Sequence, residues 1–150
     1  MYKMGVCLIF LFSTHFTIAK ENNGMAACLS LYQIAASAID YKAKGKNKQE
    51  MLAPLPDKQQ IENDDQTVPS TIIALNMYDI IDEIYDYDTL PIAVYAAYAS
   101  EKCLRRVDGK PIKSYRKAHP QLQRCAMLTR SKAMLECAFA VANQVKLPSQ

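Results

Sequence analysis

The chain has 150 residues, of which 50% are apolar and 22% charged, with only 4 Gly and 7 Pro. That length supports one hydrophobic core, and the composition excludes a collagen-like, low-complexity or wholly disordered chain. The net charge of +3 conceals strongly opposed segments, −10 over residues 49–101 and +9 over 102–150.

Lys3, the apolar run Val6–Phe12 and the small residues Thr17 and Ala19 occur in the order of an export signal, with cleavage before Lys20. The run is too short to span a bilayer, and no second run is long enough. The expected organisation is therefore a signal peptide over 1–19 and a single helical domain over 20–150, exported to the periplasm or the cell exterior. Met25-Ala26-Ala27-Cys28 superficially matches a lipid-attachment motif, but Lys20 and Glu21 separate it from the apolar run. Soluble export is preferred.

Once Cys7 leaves with the signal, Cys28, Cys103, Cys125 and Cys137 remain. An even count in an exported chain predicts two disulfides, with three possible connectivities. If Cys125 and Cys137 share one straight helix they lie about 18 Å apart and must find other partners. If that helix breaks near Ser131, Cys28–Cys103 with Cys125–Cys137 is the simplest arrangement. Both options stay open.

Met25–Lys44 has helical spacing through Cys28, Tyr32 (beside Leu31), Ala35 and Ile39, and ends at Gly45. Residues 53–69, with Pro54, Pro56 and Pro69 around Asn63-Asp64-Asp65, read as a loop or short turns. Ser70 or Thr71 is placed to cap a helix over Thr71–Asp86 with an inner stripe of Ile73, Met77, Ile80 and Ile84. Pro91 suits the first turn of a third helix that aligns Ile92, Ala96, Ala99 and Cys103 and ends near Arg106. Pro120 then opens a last helix reaching about Lys146 on Leu128, Leu135, Phe139 and Ala142. The expected fold class is all-α, a compact bundle of four main helices stapled by two disulfides.

Residues 49–101 hold eleven carboxylates and one lysine, whereas 102–150 hold eleven Lys/Arg and two carboxylates. Asp79, Asp82, Glu83 and Asp86 recur at helical spacing as one anionic stripe, flanked by Tyr78, Tyr85 and Tyr87. Like charges so spaced cost a helix a few tenths of a kcal/mol per pair, so helix stability does not explain them. Either the stripe pairs with the basic C-terminal region of the same fold, or it is a docking face in which complementary fields steer a partner. The basic stretch from Lys102 to Lys117 is a poor nucleic-acid site on an exported chain beside an acidic block, and no nucleic-acid partner is expected.

Catalysis needs an activated nucleophile, an acid–base pair or a metal. The predicted mature chain keeps one histidine, His119, read as a surface residue at a helix entrance, and no GxSxG, HExxH or phosphate-loop motif is present. Neither an enzyme nor a metal or cofactor site is expected.

Cys28 opening one helix, a Tyr85-Asp86…Pro91 step and Cys103 closing the next helix resemble a pattern in small uncharacterised exported bacterial all-helical proteins. Size and build are also similar to periplasmic immunity proteins. The resemblance implies an all-α exported fold and carries no active site across. The expected function is an inhibitor- or immunity-type module that occludes a protein partner through Tyr78, Asp79, Asp82, Glu83, Asp86 and Tyr87. The alternative is a carrier or chaperone with an apolar surface among Met77, Met127, Met134 and Phe139.

Overall fold

The computed structural model describes residues 16–65 and 67–145, with side chains from residue 24 onward. The apolar run of the expected signal lies outside the described residues, and the expected cleavage point falls inside the first helix. Among the described residues there are seven helices and no strand: α1 (Phe16–Ala43), α2 (Lys48–Leu52), α3 (Lys58–Asn63), α4 (Pro69–Asp86), α5 (Ile92–Val107), α6 (Tyr115–Ala126) and α7 (Ser131–Ala142).

The centre is α1, α4 and α5. Cys28, Leu31, Ala35 and Ala38 of α1 face Ile72, Ile80 and Ile84 of α4 and Val94, Ala96, Ala97 and Ala99 of α5, all buried. In two places the observed stripe is rotated by one residue from the expected one. Leu31 is buried while Tyr32 is exposed, and Ile72 is buried while Ile73 and Met77 are only half-buried. In each pair both neighbours are apolar, so spacing alone does not choose between them. At Gly24 α1 and α5 come so close that a Cβ would lie 2.8 Å from Val107 Cγ1.

Local chemistry sets the helix ends. At the end of α1, Gly45 adopts φ 85° and the amides of Gly45 and Lys46 bond back to Lys42 and Tyr41, a closure that the left-handed conformation permits and glycine favours. Gly109 closes α5 the same way at φ 64°. Lys42 Nζ donates to the Ile84 carbonyl at 2.6 Å, placing a cation at the negative end of α4. Between α1 and α4 lie two short helices, α2 ahead of the expected loop and α3 within it. Asn47 and Glu50 form a reciprocal capping box on α2, and Asp57 caps α3. α4 starts earlier than expected, at Pro69 after Val68, because proline's fixed φ and missing amide fit a first helical position.

The expected last helix is two helices. α6 begins at Tyr115, so Pro120 lies inside it rather than opening it. Residues 127–130 then reverse the chain into α7, which joins Cys125 to Cys137 with Cα atoms 5.5 Å apart. Cys28 joins Cys103 at 5.4 Å. With its sulfur in that bridge, Cys28 carries no lipid. α7 packs on α5 with Ala138, Val141 and Ala142 inward, while Phe139 is 39% exposed and Leu128 and Leu135 are half-buried. Phe139 and Leu128 are therefore not the core positions that spacing assigned them, because that spacing assumed one unbroken helix.

Candidate functional site

The acidic stripe of α4 is divided between three neighbours. Asp79 Oδ2 lies 2.9 Å from Lys102 Nζ and 2.7 Å from Arg106 Nη2, both on α5. Glu83 is buried beside it, accepting from Lys102 and, at 2.9 Å, from the Tyr95 hydroxyl. Asp82 pairs with Lys48 at 3.0 Å and Lys58 at 3.8 Å, and Asp86 pairs with Lys48 at 2.8 Å. One expectation is corrected: Glu83 is a core residue and not part of an open docking face, because α5 crosses that edge of α4 and brings a cation to it. Asp79 and Glu83 pair with Lys102 and Arg106, at the start of the basic C-terminal region, whereas Asp82 and Asp86 pair with Lys48 and Lys58 of α2 and α3.

The aromatic flanks are engaged as well. Tyr78 donates to the Pro56 carbonyl at 2.5 Å, and Tyr85 to the Lys46 carbonyl at 2.6 Å. Tyr87 stacks edge-on against Tyr115, with centroids 4.9 Å apart, and leans on His119 at 5.1 Å. His119 is 7% exposed, with Nε2 at 3.1 Å from the Asp88 carbonyl oxygen. It is part of a buried aromatic cluster, not a surface histidine, because α6 starts one turn before it and its face turns inward.

Burial governs the proton affinities here. It pushes the Glu83 carboxyl above the usual range, against the attraction of Lys102. Burial also acts on Asp79, but Lys102 and Arg106 together outweigh it and hold that carboxyl below the usual range. The Tyr95 phenol is pushed far up by burial and by the neighbouring Glu83.

The opposite edge of α4 is apolar. Between α1, α2 and α4 lies a groove of about 500 Å³, floored by Ile34, Ala38, Met51, Met77, Ile80 and Ile81. Gln33, Ser37, Tyr41, Lys46 and Glu50 form a polar rim. The volume lies within the range of small-molecule sites, and apolar walls with a few polar groups at the mouth are what such sites share. Of the expected apolar residues only Met77 lies here. Met127 (74% exposed), Met134 and Phe139 lie on or beside α6 and α7. One wall of the groove, Met51 and Pro54, belongs to α2 and the turn that follows it, a stretch to which spacing assigned no helix. The Asn47…Glu50 capping signature was the available signal for a helix there.

Among the described residues no group of three or more His, Cys, Asp or Glu is arranged to hold a metal ion, and no helix is long and apolar enough to cross a membrane. No protein-family model, curated protein or solved structure matches the chain.

Proposed function

We propose that the protein is an exported, non-enzymatic binding module that takes up a small apolar ligand in the α1–α2–α4 groove. The observation that carries this reading is the groove itself, an apolar hollow of about 500 Å³ beneath a polar rim. Met51 and Met77 suit such a role because unbranched thioether side chains adapt to varied apolar shapes. Two disulfides support the oxidising compartment that the reading requires.

The test is a fluorescence titration with N-phenylnaphthylamine, an apolar dye that brightens on leaving water. Saturable binding at one site per chain is expected. Ser37→Trp, on the exposed rim, should weaken it at least tenfold while the thermal midpoint stays within a few degrees. Absence of saturable binding, or binding unchanged in both Ser37→Trp and Met77→Trp, overturns the reading.

A second reading keeps an inhibitor- or immunity-type protein that occludes a partner at the acidic face. It is favoured by Asp82 and Asp86, whose side chains stay 40% and 53% exposed despite their lysine partners. Asp82→Lys with Asp86→Lys would then abolish capture of a stoichiometric partner from exported fractions without altering dye binding. Equal capture by wild type and variant removes this reading.

A further inference from the structure

Residues 109–135 contain no Asp or Glu, and they carry seven Lys/Arg. Two of the seven have neighbours of opposite charge, Lys110 at Asp108 and Lys132 at Glu136. Arg116, Lys117, Arg124 and Arg130 make no ion pair among the described residues. The helix sorts them. α6 buries Tyr115, Ala118, His119, Leu122 and Cys125, and a turn of 3.6 residues therefore sends Arg116, Lys117, Pro120 and Arg124 to the other side. All four are exposed. Met127, 74% exposed, ends the same face, and Ile112, 36% exposed, precedes the helix. The face is held rigidly by the Cys125–Cys137 bridge at one end and by buried Tyr115 at the other.

We propose that this outward face of α6 docks the protein on anionic lipid headgroups, with Arg116, Lys117 and Arg124 meeting phosphates and Met127 dipping into the acyl boundary. Unpaired cations near an anionic bilayer each strengthen adsorption, and a protruding apolar side chain adds burial at the acyl boundary. A basic face whose counter-charges lay beside it would simply be solvated, as the α4 stripe beside Lys48 and Lys58 shows from the acidic side. Lipid is favoured over nucleic acid by two features. Tyr115, the aromatic ring of α6, is buried, so no ring on this face is free to stack on a base. Against a sugar–phosphate backbone, Met127 would bury nothing. The inference stands independently of the groove.

The test is vesicle co-sedimentation of the oxidised protein, purified from an exporting host. Phosphatidylglycerol–phosphatidylcholine vesicles are compared with pure phosphatidylcholine at low and high salt. Wild type should sediment with the anionic vesicles at low salt and be released at high salt. Each cation removed should cost about fivefold, so Arg116→Gln with Lys117→Gln and Arg124→Gln should lower partitioning on the order of a hundredfold. Met127→Asp should lower it several-fold by itself. All of these side chains are exposed, and an unchanged thermal midpoint confirms folding of the variants. An apolar leader retained on the chain would affect wild type and variants alike, so the difference between them is the readout. The proposal is overturned if the triple variant sediments as wild type does, if salt leaves wild-type binding unchanged, or if wild type fails to bind anionic vesicles at low salt. Tighter binding to a single-stranded oligonucleotide than to the vesicles would assign the face to nucleic acid instead.

Discussion

The acidic stripe of α4 and the basic face of α6 are equally conspicuous in the sequence, yet the fold treats them in opposite ways. Asp79, Asp82, Glu83 and Asp86 each meet a lysine or arginine within 4 Å, supplied by α2, α3 or α5. Arg116, Lys117 and Arg124 meet none among the described residues. Charge density along a chain therefore says little about which charges remain for a partner. What decides is whether a neighbouring element crosses that side of the helix. α5 and the short helices cross α4, whereas among the described residues no element crosses the outer side of α6.

The largest effect expected from breaking the paired side is at Lys102. Lys102→Met leaves Glu83 buried without its cation and should cost about 3–5 kcal/mol at neutral pH, measured by denaturant unfolding. Its sign with pH is a sharper check. Burial raises the Glu83 carboxyl, so the folded state takes up a proton more readily than the unfolded chain, and stability falls as pH rises from about 4 to that raised value. The variant should therefore be less destabilised at mildly acidic pH than at pH ~7. Asp79 behaves oppositely: its lowered carboxyl contributes stability above about pH 4 that is lost on further acidification. A Lys102→Met penalty that is the same at both pH values would show that Glu83 is not the group left exposed to the loss.

On the basic side, Cys125→Ala with Cys137→Ala opens a short loop and should cost about 3 kcal/mol, with more loss of order in α6 and α7 than around α1. Hydrogen exchange reads that distribution. Lys48→Gln removes a cation shared by two exposed carboxylates and should cost less than about 1 kcal/mol. Smallest of all, the three glutamine substitutions on α6 should leave stability within about 0.5 kcal/mol of wild type. A larger loss there would mean that these cations support the fold, and the contrast between the two faces would fail.

What could be read in the sequence follows from how local each determinant is. The long helices α1, α4 and α5, the glycine that ends α1 and the alanine-rich packing of α5 rest on spacing within a few residues, and they are legible; the expected Ser70 or Thr71 cap of α4 is not, since Val68 and Pro69 start that helix without a side-chain cap. The two rotated stripes fell where apolar residues are adjacent, Leu31 with Tyr32 and Ile72 with Ile73, because neighbours 100° apart serve one pattern equally well. Pro120 misled for a different reason. A proline inside a helix removes one bond and crowds the carbonyl four residues earlier. Pro120 is exposed, and that carbonyl belongs to Arg116 on the outward side, open to water. The burial of Glu83 and His119 and the shape of the groove depend on which element lies across from them. Such juxtapositions, set by residues such as Lys102, Tyr87 and Met51, have no trace in local spacing.

The two bridges have a consequence for how the chain matures. From Cys28 onward they join cysteines that are consecutive in sequence, first with second and third with fourth. When a polypeptide enters an oxidising space N-terminus first, an oxidase that links each newly arrived thiol to the one still waiting produces this pattern directly. Cys28 would wait for Cys103, and Cys125 would find itself alone until Cys137 emerged. Native pairing by that route would pass through no wrong disulfide, and it would need an oxidant but no isomerase to reshuffle the bonds.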